Sequence, residues 1–401
     1  MNNNITINLF NKPFLNELIL TPKLLPFTDE EILRFDRDLN QYEQLFLDPD
    51  IERNLISKNE LLASFAISKA ENSSLTLQEA QDVYDFILKN KEYSFIAEKI
   101  KDNKKITRKD YEKLEFFNIA KTFRNSQVVN IEDVTPEFIQ ELHRDLTQGL
   151  DVFQTYLSDF DTYKSGKWRD TDTIRVGTYT PAPHTMIYDG VTELLEWLKK
   201  NQFVTSVGIF HTAIYALHPF NNGNKRVSRI LEHIFLRSLD INKKNLYSTS
   251  YYYHKQKDRY YKYLLFSLER KNLNHFTAFF QEALVLSMLA VIKTSIETKR
   301  KQFLDNQTLD NQIRLVCKPL IKKHEVQFKN LLKNTANKMA RQTFVNYLQQ
   351  AVDQKVVIRR ESGKTTFYSL NISPEEEITF QNMLDFIQSK LTFIPDEIRT
   401  T

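Results

Sequence analysis

The sequence predicts a mainly α-helical protein, and three observations carry that prediction. Only 7 of the 401 residues are glycine, too few for the turns of a large sheet protein. Apolar residues make up 41% and charged residues 26%, the balance of a chain that buries a core. Apolar side chains recur near a period of 3.6, as at Ile32, Leu33, Phe35 and Leu39. The length suits two or three domains.

Residues 1–28 hold three prolines and read as an extended arm, with the first helix starting at Asp29. A second helix is expected from Glu60 to about Ser68. Thr76 and Glu79 have the spacing of a capping box for a helix through Phe86 and Leu88. Thr135 as N-cap, Pro136 at the first helical position and Glu137 in the first turn open another. Residues 163–189 break the pattern: Ile174, Val176 and Tyr179 sit among Thr, Gly and Pro, which reads as a short hairpin. Helices resume at Val191 and over Val204 to Leu217, and residues 271–300 read as a long amphipathic helix.

Cys317 is the single cysteine, which excludes a disulfide framework and a cysteine-based zinc site and points to a reducing, cytoplasmic setting. The stretch MNNNITINLF lacks a basic segment before an apolar core, so no Sec-type signal is expected. The longest strongly apolar run, Ala283 to Ile292, is about half of a membrane span, so no membrane insertion is expected. Asn and Lys richness hints at an AT-rich bacterial genome. Net charge is only +4, but residues 309–371 carry twelve basic and four acidic side chains, leaving −4 on the rest. A basic segment on an acidic body indicates a separate module suited to nucleic acid.

The sharpest feature runs from His218 through Pro219, Phe220, Asn221, Asn222, Gly223, Asn224, Lys225, Arg226, Val227 and Ser228 to Arg229. An apolar helix ends at Leu217, Pro219 prevents its continuation, and Gly223 permits a tight turn. A new helix starts near Asn224, with Val227, Ile230, Leu231, Ile234 and Phe235 on one face. Arg226, Arg229, His233 and Arg237 lie on the other. A helix N-terminus reinforced by cations is a polyanion site, suited to a di- or triphosphate, and a histidine at its mouth can act as general base. A lone histidine or an arginine pair would be ordinary helix surface; their combination with Gly and Asn around one helix start is not.

This segment resembles the signature of the Fic family, HPFx(D/E)GNGRxxR. The resemblance extends to residues 165–186 as the family's flap, to the preceding helix with His211, and to the tyrosine pair Tyr260 and Tyr261, covering roughly residues 110–270. It implies transfer of AMP from ATP to a Tyr, Ser or Thr hydroxyl of a target protein, with Mg²⁺. His218 would be the base. The backbone of Gly223, Asn224, Lys225 and Arg226 would hold the α- and β-phosphates, Arg226 would reach the β-phosphate and Arg229 the γ-phosphate, and Gln256 would face the adenine. Phe220 would anchor the loop, while Ile174, Val176 and Tyr179 would align the target by strand addition.

Two positions depart from the family pattern. Asn222 replaces the metal-holding Asp/Glu, so Mg²⁺ should bind more weakly. Lys225 replaces the second Gly, as in the Doc branch, whose chemistry is phosphate transfer. Two alternatives follow: a Doc-like phosphotransferase, or a nucleotide-sensing, DNA-binding regulator without catalysis. Ile67 to Asn72 is similar to the family's inhibitory helix, (S/T)xxxE(G/N), and there Glu71 would pair with Arg229 and block the γ-phosphate position.

Gln327 to Leu370 reads as helix, turn, helix and a hairpin of Val356 to Arg360 with Thr365 to Leu370, and resembles a winged helix-turn-helix. Lys338, Arg341, Gln342 and Asn346 would sit on its recognition helix and Arg359, Arg360 and Lys364 on its wing, residue types that suit double-stranded DNA. Protein contact or homodimerisation is the alternative use. The expected layout is an N-terminal helical region (1–105), a Fic domain (106–275), a linker helix (276–308), the winged module (309–371) and a tail (372–401).

Overall fold

The computed structural model describes residues 5–46, 49–89, 93–158, 164–335 and 339–399. The chain forms two compact units, Met1–Arg37 with Asp48–Ser287, and Asp38–Leu47 with Met288–Thr401. One division falls within 276–308, while Asp38–Leu47, from the expected N-terminal region, belongs to the second unit.

In the first unit a small antiparallel pair, β1 (Ile7–Asn8) and β2 (Ile19–Leu20), fixes the arm, with Ile7 opposite Leu20. Helix α1 (Asp29–Phe46) starts at the expected residue, and α2 runs over Pro49–Lys69, well beyond its expected start. Helix α3 (Leu77–Leu88) carries the capping box of Thr76 and Glu79; α4 (Phe95–Lys101) precedes α5 (Arg108–Asn125), where Thr107 and Asp110 make a second box. Helix α6 (Pro136–Thr147) has Thr135 as N-cap and Pro136 at its start, as the sequence indicates.

Helices α7 (Ile187–Lys200), α8 (Val204–Leu217) and α9 (Asn224–Ser238) follow, then α10 (Thr249–Lys255) and α11 (Lys257–Glu269). Every residue of α8 except Thr205 is buried, which explains why its composition is apolar all round. Helix α9 is enclosed as well. Arg226, Arg229, His233 and Arg237 are buried along with its apolar residues, so the polar side does not face solvent. These charges tolerate burial because each meets polar or aromatic partners, as Arg237 does in donating to the Ser126 carbonyl at 3.2 Å.

Helix α12 (Asn274–Asn306) is long and apolar enough to cross a membrane by length and composition, a longer apolar run than Ala283 to Ile292 indicates. Of its most apolar stretch 78% is buried within the protein, the condition of a core helix.

The second unit has its own apolar cluster, including Val316, Leu331, Phe344, Leu348 and Val357. Its elements are α13 (Asn311–Cys317), β3 (Val326–Gln327), α14 (Phe328–Thr335), α15 (Arg341–Asp353), β4 (Val357–Ser362) and β5 (Thr365–Leu370). The antiparallel sheet has the order β3-β5-β4, with Val326 opposite Tyr368 and Arg360 opposite Phe367. The hairpin was expected; β3 and α13 were not, because a two-residue strand leaves no periodicity to read. Residues 372–401, expected as a tail, contain α16 (Glu375–Lys390) and α17 (Asp396–Arg399).

Candidate active site

Helix α8 stops where the sequence indicates. His218 adopts the left-handed conformation (φ 47°, ψ 63°) while its N–H still donates to the Ile214 carbonyl at 2.9 Å. Gly223 turns the chain into α9 at φ +80°, and a Cβ there would stand 3.1 Å from His143 Nε2. The loop between is closed by Asn224. Its Oδ1 accepts from the Phe220 N–H at 2.9 Å, and its Nδ2 donates to the Phe220 carbonyl at 2.7 Å. The side-chain amide is therefore committed to the loop.

Phe220 is fully buried. It stacks on His143 at 3.9 Å with rings 4° apart, and Trp168 lies 4.8 Å away on a tilted ring. The Phe220 ring packs inside the loop, between the motif and α6. His143, on α6, was not singled out by the sequence. The Gly166 N–H donates to its Nδ1 at 2.9 Å, so Nε2 carries the proton and donates to the Asn222 carbonyl at 3.0 Å. Burial lowers the His143 pKa to about 4, against the raising effect of that hydrogen bond.

Arg169, at the base of the flap and 3% exposed, was also missed. Its guanidinium donates to the carbonyls of His218 (2.8 Å), Leu217 (3.2 Å), Thr171 (2.7 Å) and Ala182, and its N–H donates to the Pro219 carbonyl at 2.9 Å. One rigid fork thus joins both ends of the flap to the motif loop. Burial, with Arg169 and Lys225 adding, lowers the His218 pKa to about 3, so its imidazole is neutral at physiological pH. His218 Nδ1 is buried and makes no hydrogen bond among the described residues.

Arg226 lies between two carboxylates. Its Nη1 is 3.1 Å from Glu115 Oε1, on α5, and its Nε is 3.7 Å from Glu71 Oε1. Glu71 Oε2 is 3.5 Å from Lys225 Nζ. Glu71 therefore faces Lys225 and Arg226, not Arg229 as the family resemblance implies. The reason is local. Glu71 sits in the turn beyond the end of α2, level with the first turn of α9, whereas Arg229 one turn deeper meets α2 at the Ala66 carbonyl (3.4 Å). Arg229 also approaches the Ser250 carbonyl at 3.5 Å and lies over the rings of Tyr260 (4.7 Å) and Tyr253 (5.4 Å).

Beneath it, His211 Nε2 meets the Tyr260 hydroxyl at 3.0 Å and Nδ1 meets Glu232 at 2.6 Å, a buried brace between α8, α9 and α11. Lys225 donates to the Ala70 carbonyl at 3.2 Å, which also accepts from the Tyr261 hydroxyl at 3.3 Å. Lys225 is thus engaged with the end of α2.

The flap is a minimal hairpin. Val176 and Tyr179 exchange both backbone hydrogen bonds at 3.0 Å around Gly177 (φ +58°), and Ile174 lies two residues before the bridge. Gln256 links α10 to α11 through its backbone. Asn222 supplies one neutral oxygen, and among the described residues no three His, Cys, Asp or Glu gather to hold a metal. An amide oxygen brings no charge, so by itself it would hold Mg²⁺ only weakly.

In the second unit, Arg341 is exposed at the start of α15 and Lys364 is exposed in the β4–β5 turn beside Gly363. Arg360 makes a two-pronged pair with Glu325 (2.7 and 2.5 Å) and Arg359 pairs with Glu361 (2.5 Å), which lowers their charge toward an outside polyanion. Lys338 lies outside the described residues.

Known proteins bear on the first unit. The Fic/DOC family profile matches residues 133–236. Two curated relatives, each named protein adenylyltransferase fic-1, from Caenorhabditis briggsae and Caenorhabditis elegans, are 23% identical over 31% of this chain and 22% of their own. The match thus spans less than a quarter of those relatives' length. Among solved structures, a Fic family protein from Desulfovibrio desulfuricans has a TM-score of 0.49 at 19% identity, covering 86% of this chain and 98% of that one. Fic-1 (residues 134–508) from C. elegans has a TM-score of 0.49 at 15% identity, covering 68% and 73%. Residues 133–236 thus form a Fic domain.

Proposed function

We propose that this protein is a Fic-type transferase that moves AMP from ATP to a hydroxyl of a target protein. The observation that carries the reading is the placement of a neutral His218 at the mouth of the α9 N-terminus, with Arg226 and Arg229 buried on the same helix. His218 accepts the proton of the incoming Tyr, Ser or Thr hydroxyl. The oxygen attacks the α-phosphorus, the bond from that phosphorus to the β-phosphate bridge breaks, and pyrophosphate leaves. Arg226 meets the inner phosphates and Arg229 the γ-phosphate. The chain at Ile174 lends a backbone edge to the target segment. Any Mg²⁺ arrives with the nucleotide as its counterion.

Glu71 restrains this reaction by competing with phosphate for Lys225 and Arg226. The engagement of Lys225 with Ala70 favours AMP transfer over the Doc-like alternative, since its ammonium is turned to α2. Incubation with ATP labelled separately at the α- and γ-phosphates tests the reading. Protein-bound label from α supports it; label from γ alone, or none from either, overturns it.

For the second unit we propose a winged-helix role in binding duplex DNA. Its helix pair, three-stranded sheet and exposed Arg341 and Lys364 support this.

A further inference from the structure

Among the described residues, Arg226 is the one residue of the motif shared by two carboxylates of unequal standing. Glu115 is 1% exposed, 3.1 Å from the guanidinium, and set in the middle of α5. Its Oε1 also accepts the Tyr111 hydroxyl at 2.9 Å, and the Tyr111 ring stacks edge-on to Phe153 at 5.5 Å. Glu71 has a side chain 21% exposed, makes longer contacts of 3.5 and 3.7 Å, and sits in a turn beyond a helix end. A carboxylate braced within a helix and a neighbouring hydroxyl has one place to be; a carboxylate on a turn has several.

We propose that Glu115 is a positioning residue for Arg226. It holds the Nη1 end of the guanidinium, so the opposite side stays aimed at the motif loop for the phosphate chain of a nucleoside triphosphate. Glu71 occupies that opposite side until the phosphates displace it. This rests on the reading of the site as a nucleotide pocket. An arginine that lost Glu71 without Glu115 behind it would regain side-chain freedom just when it must meet phosphate. The role depends on reach, since Glu115 must span from α5 to α9 with an oxygen, and not on its charge, which would itself oppose phosphate.

The test separates reach from charge in the full-length protein carrying Glu71→Gln, so that the site is open. Glu115→Asp keeps the charge and withdraws the oxygen by one methylene; Glu115→Gln keeps the oxygen and removes the charge. ATP affinity is measured by titration calorimetry, and folding by thermal melts. Glu115→Asp is expected to weaken ATP binding about tenfold or more, while Glu115→Gln stays within about threefold of the parent or binds tighter. Tyr111→Phe, a milder change that removes the brace, should weaken it about twofold to threefold and guards against a poorly folded Asp variant.

If Asp binds ATP like the parent, or if Gln is the weaker of the two, the positioning role is overturned while the nucleotide pocket stands. Affinity that tracks melting temperature alone across the three variants also overturns it. If the Glu71→Gln parent binds no ATP, the pocket reading falls and the proposal with it.

Discussion

The guanidinium of Arg169 donates to the carbonyl of His218 at 2.8 Å, so the flap and the motif loop share one buried cation. That bond relieves a carbonyl that a left-handed residue has turned away from its helix. A lysine there cannot reach four carbonyls at once.

Arg169→Lys should therefore cost about 3 kcal/mol of stability, from lost charge-assisted bonds and carbonyls left buried. A fall in chemical-denaturation midpoint without a change in slope checks this. Transfer measured where the variant is fully folded should fall as well, because the flap base and His218 lose their common reference. A variant as stable and active as wild type would mean that the fork is incidental.

His218→Ala should remove transfer and leave ATP binding within about threefold of wild type, since the proposed phosphate contacts come from α9 and its arginines. Calorimetry with ATP and labelled transfer, run on the same preparation, decide. Retention of most activity by the alanine variant would place the base elsewhere.

His143 should make the fold acid-sensitive. Its pKa is about 4 in the folded state against an unperturbed 6.5, so the unfolded chain binds the proton more readily. Stability contributed by the neutral ring is complete above about pH 6.5 and is lost progressively down to about pH 4, by roughly 3 kcal/mol. His143→Asn should flatten that part of the stability-pH curve, though its baseline will be lower because Phe220 loses its stacking partner. Denaturation midpoints between pH 4 and 8 give the comparison, and parallel curves for both proteins would count against the assignment.

The loop was legible because its chemistry is contiguous: His218 through Arg229 fall in one run, and Pro219 and Gly223 announce where helices stop and start. Caps were legible for the same reason, as at Thr76 with Glu79. The supports were not. His143, Arg169 and Glu115 come from distant stretches of chain and look like ordinary helix or loop polar residues until the fold brings them to Phe220, His218 and Arg226. The partner of Glu71 depended on where α2 ends relative to α9, a difference of one helical turn that residue spacing within α2 does not specify. That both faces of α9 are enclosed was not legible, because periodicity separates apolar from polar residues but cannot say that neighbouring elements cover both.

The second unit should give the full-length protein an affinity for duplex DNA that falls steeply with salt. Arg341→Ala and Lys364→Ala should each lower the slope of log affinity against log salt by about 1, since both side chains are exposed. Arg360→Ala should change it less, because Glu325 already neutralises that guanidinium. Fluorescence anisotropy across a salt series measures all three. Absence of binding at low salt, or equal effects at all three positions, would favour a protein-contact role for this unit.

Restraint by Glu71 can be tested through its partners. Glu71 bridges Lys225 and Arg226, while Lys225 also holds the Ala70 carbonyl, the last turn from which Glu71 projects. Glu71→Gly should therefore raise modification strongly, most visibly as self-modification, read by mass spectrometry as an added mass of about 329 Da. Lys225→Met should raise it to a smaller extent: the turn loses one anchor and Glu71 one cation, yet Tyr261 and Arg226 still retain them. Arg226→Ala frees Glu71 as fully as Glu71→Gly frees Arg226, but it removes a phosphate ligand, so transfer should fall. Combining Glu71→Gly with Arg226→Ala should resemble Arg226→Ala alone, because relief of competition is worthless once the contested group is gone. Arg229→Ala offers a contrast: in the family arrangement it would break the lock itself, whereas here the lock lies one turn away, and nucleotide affinity in that variant should still rise on adding Glu71→Gly. Equal, low modification of wild type and Glu71→Gly, with ATP bound by both, would show that the carboxylate does not hold the site in check.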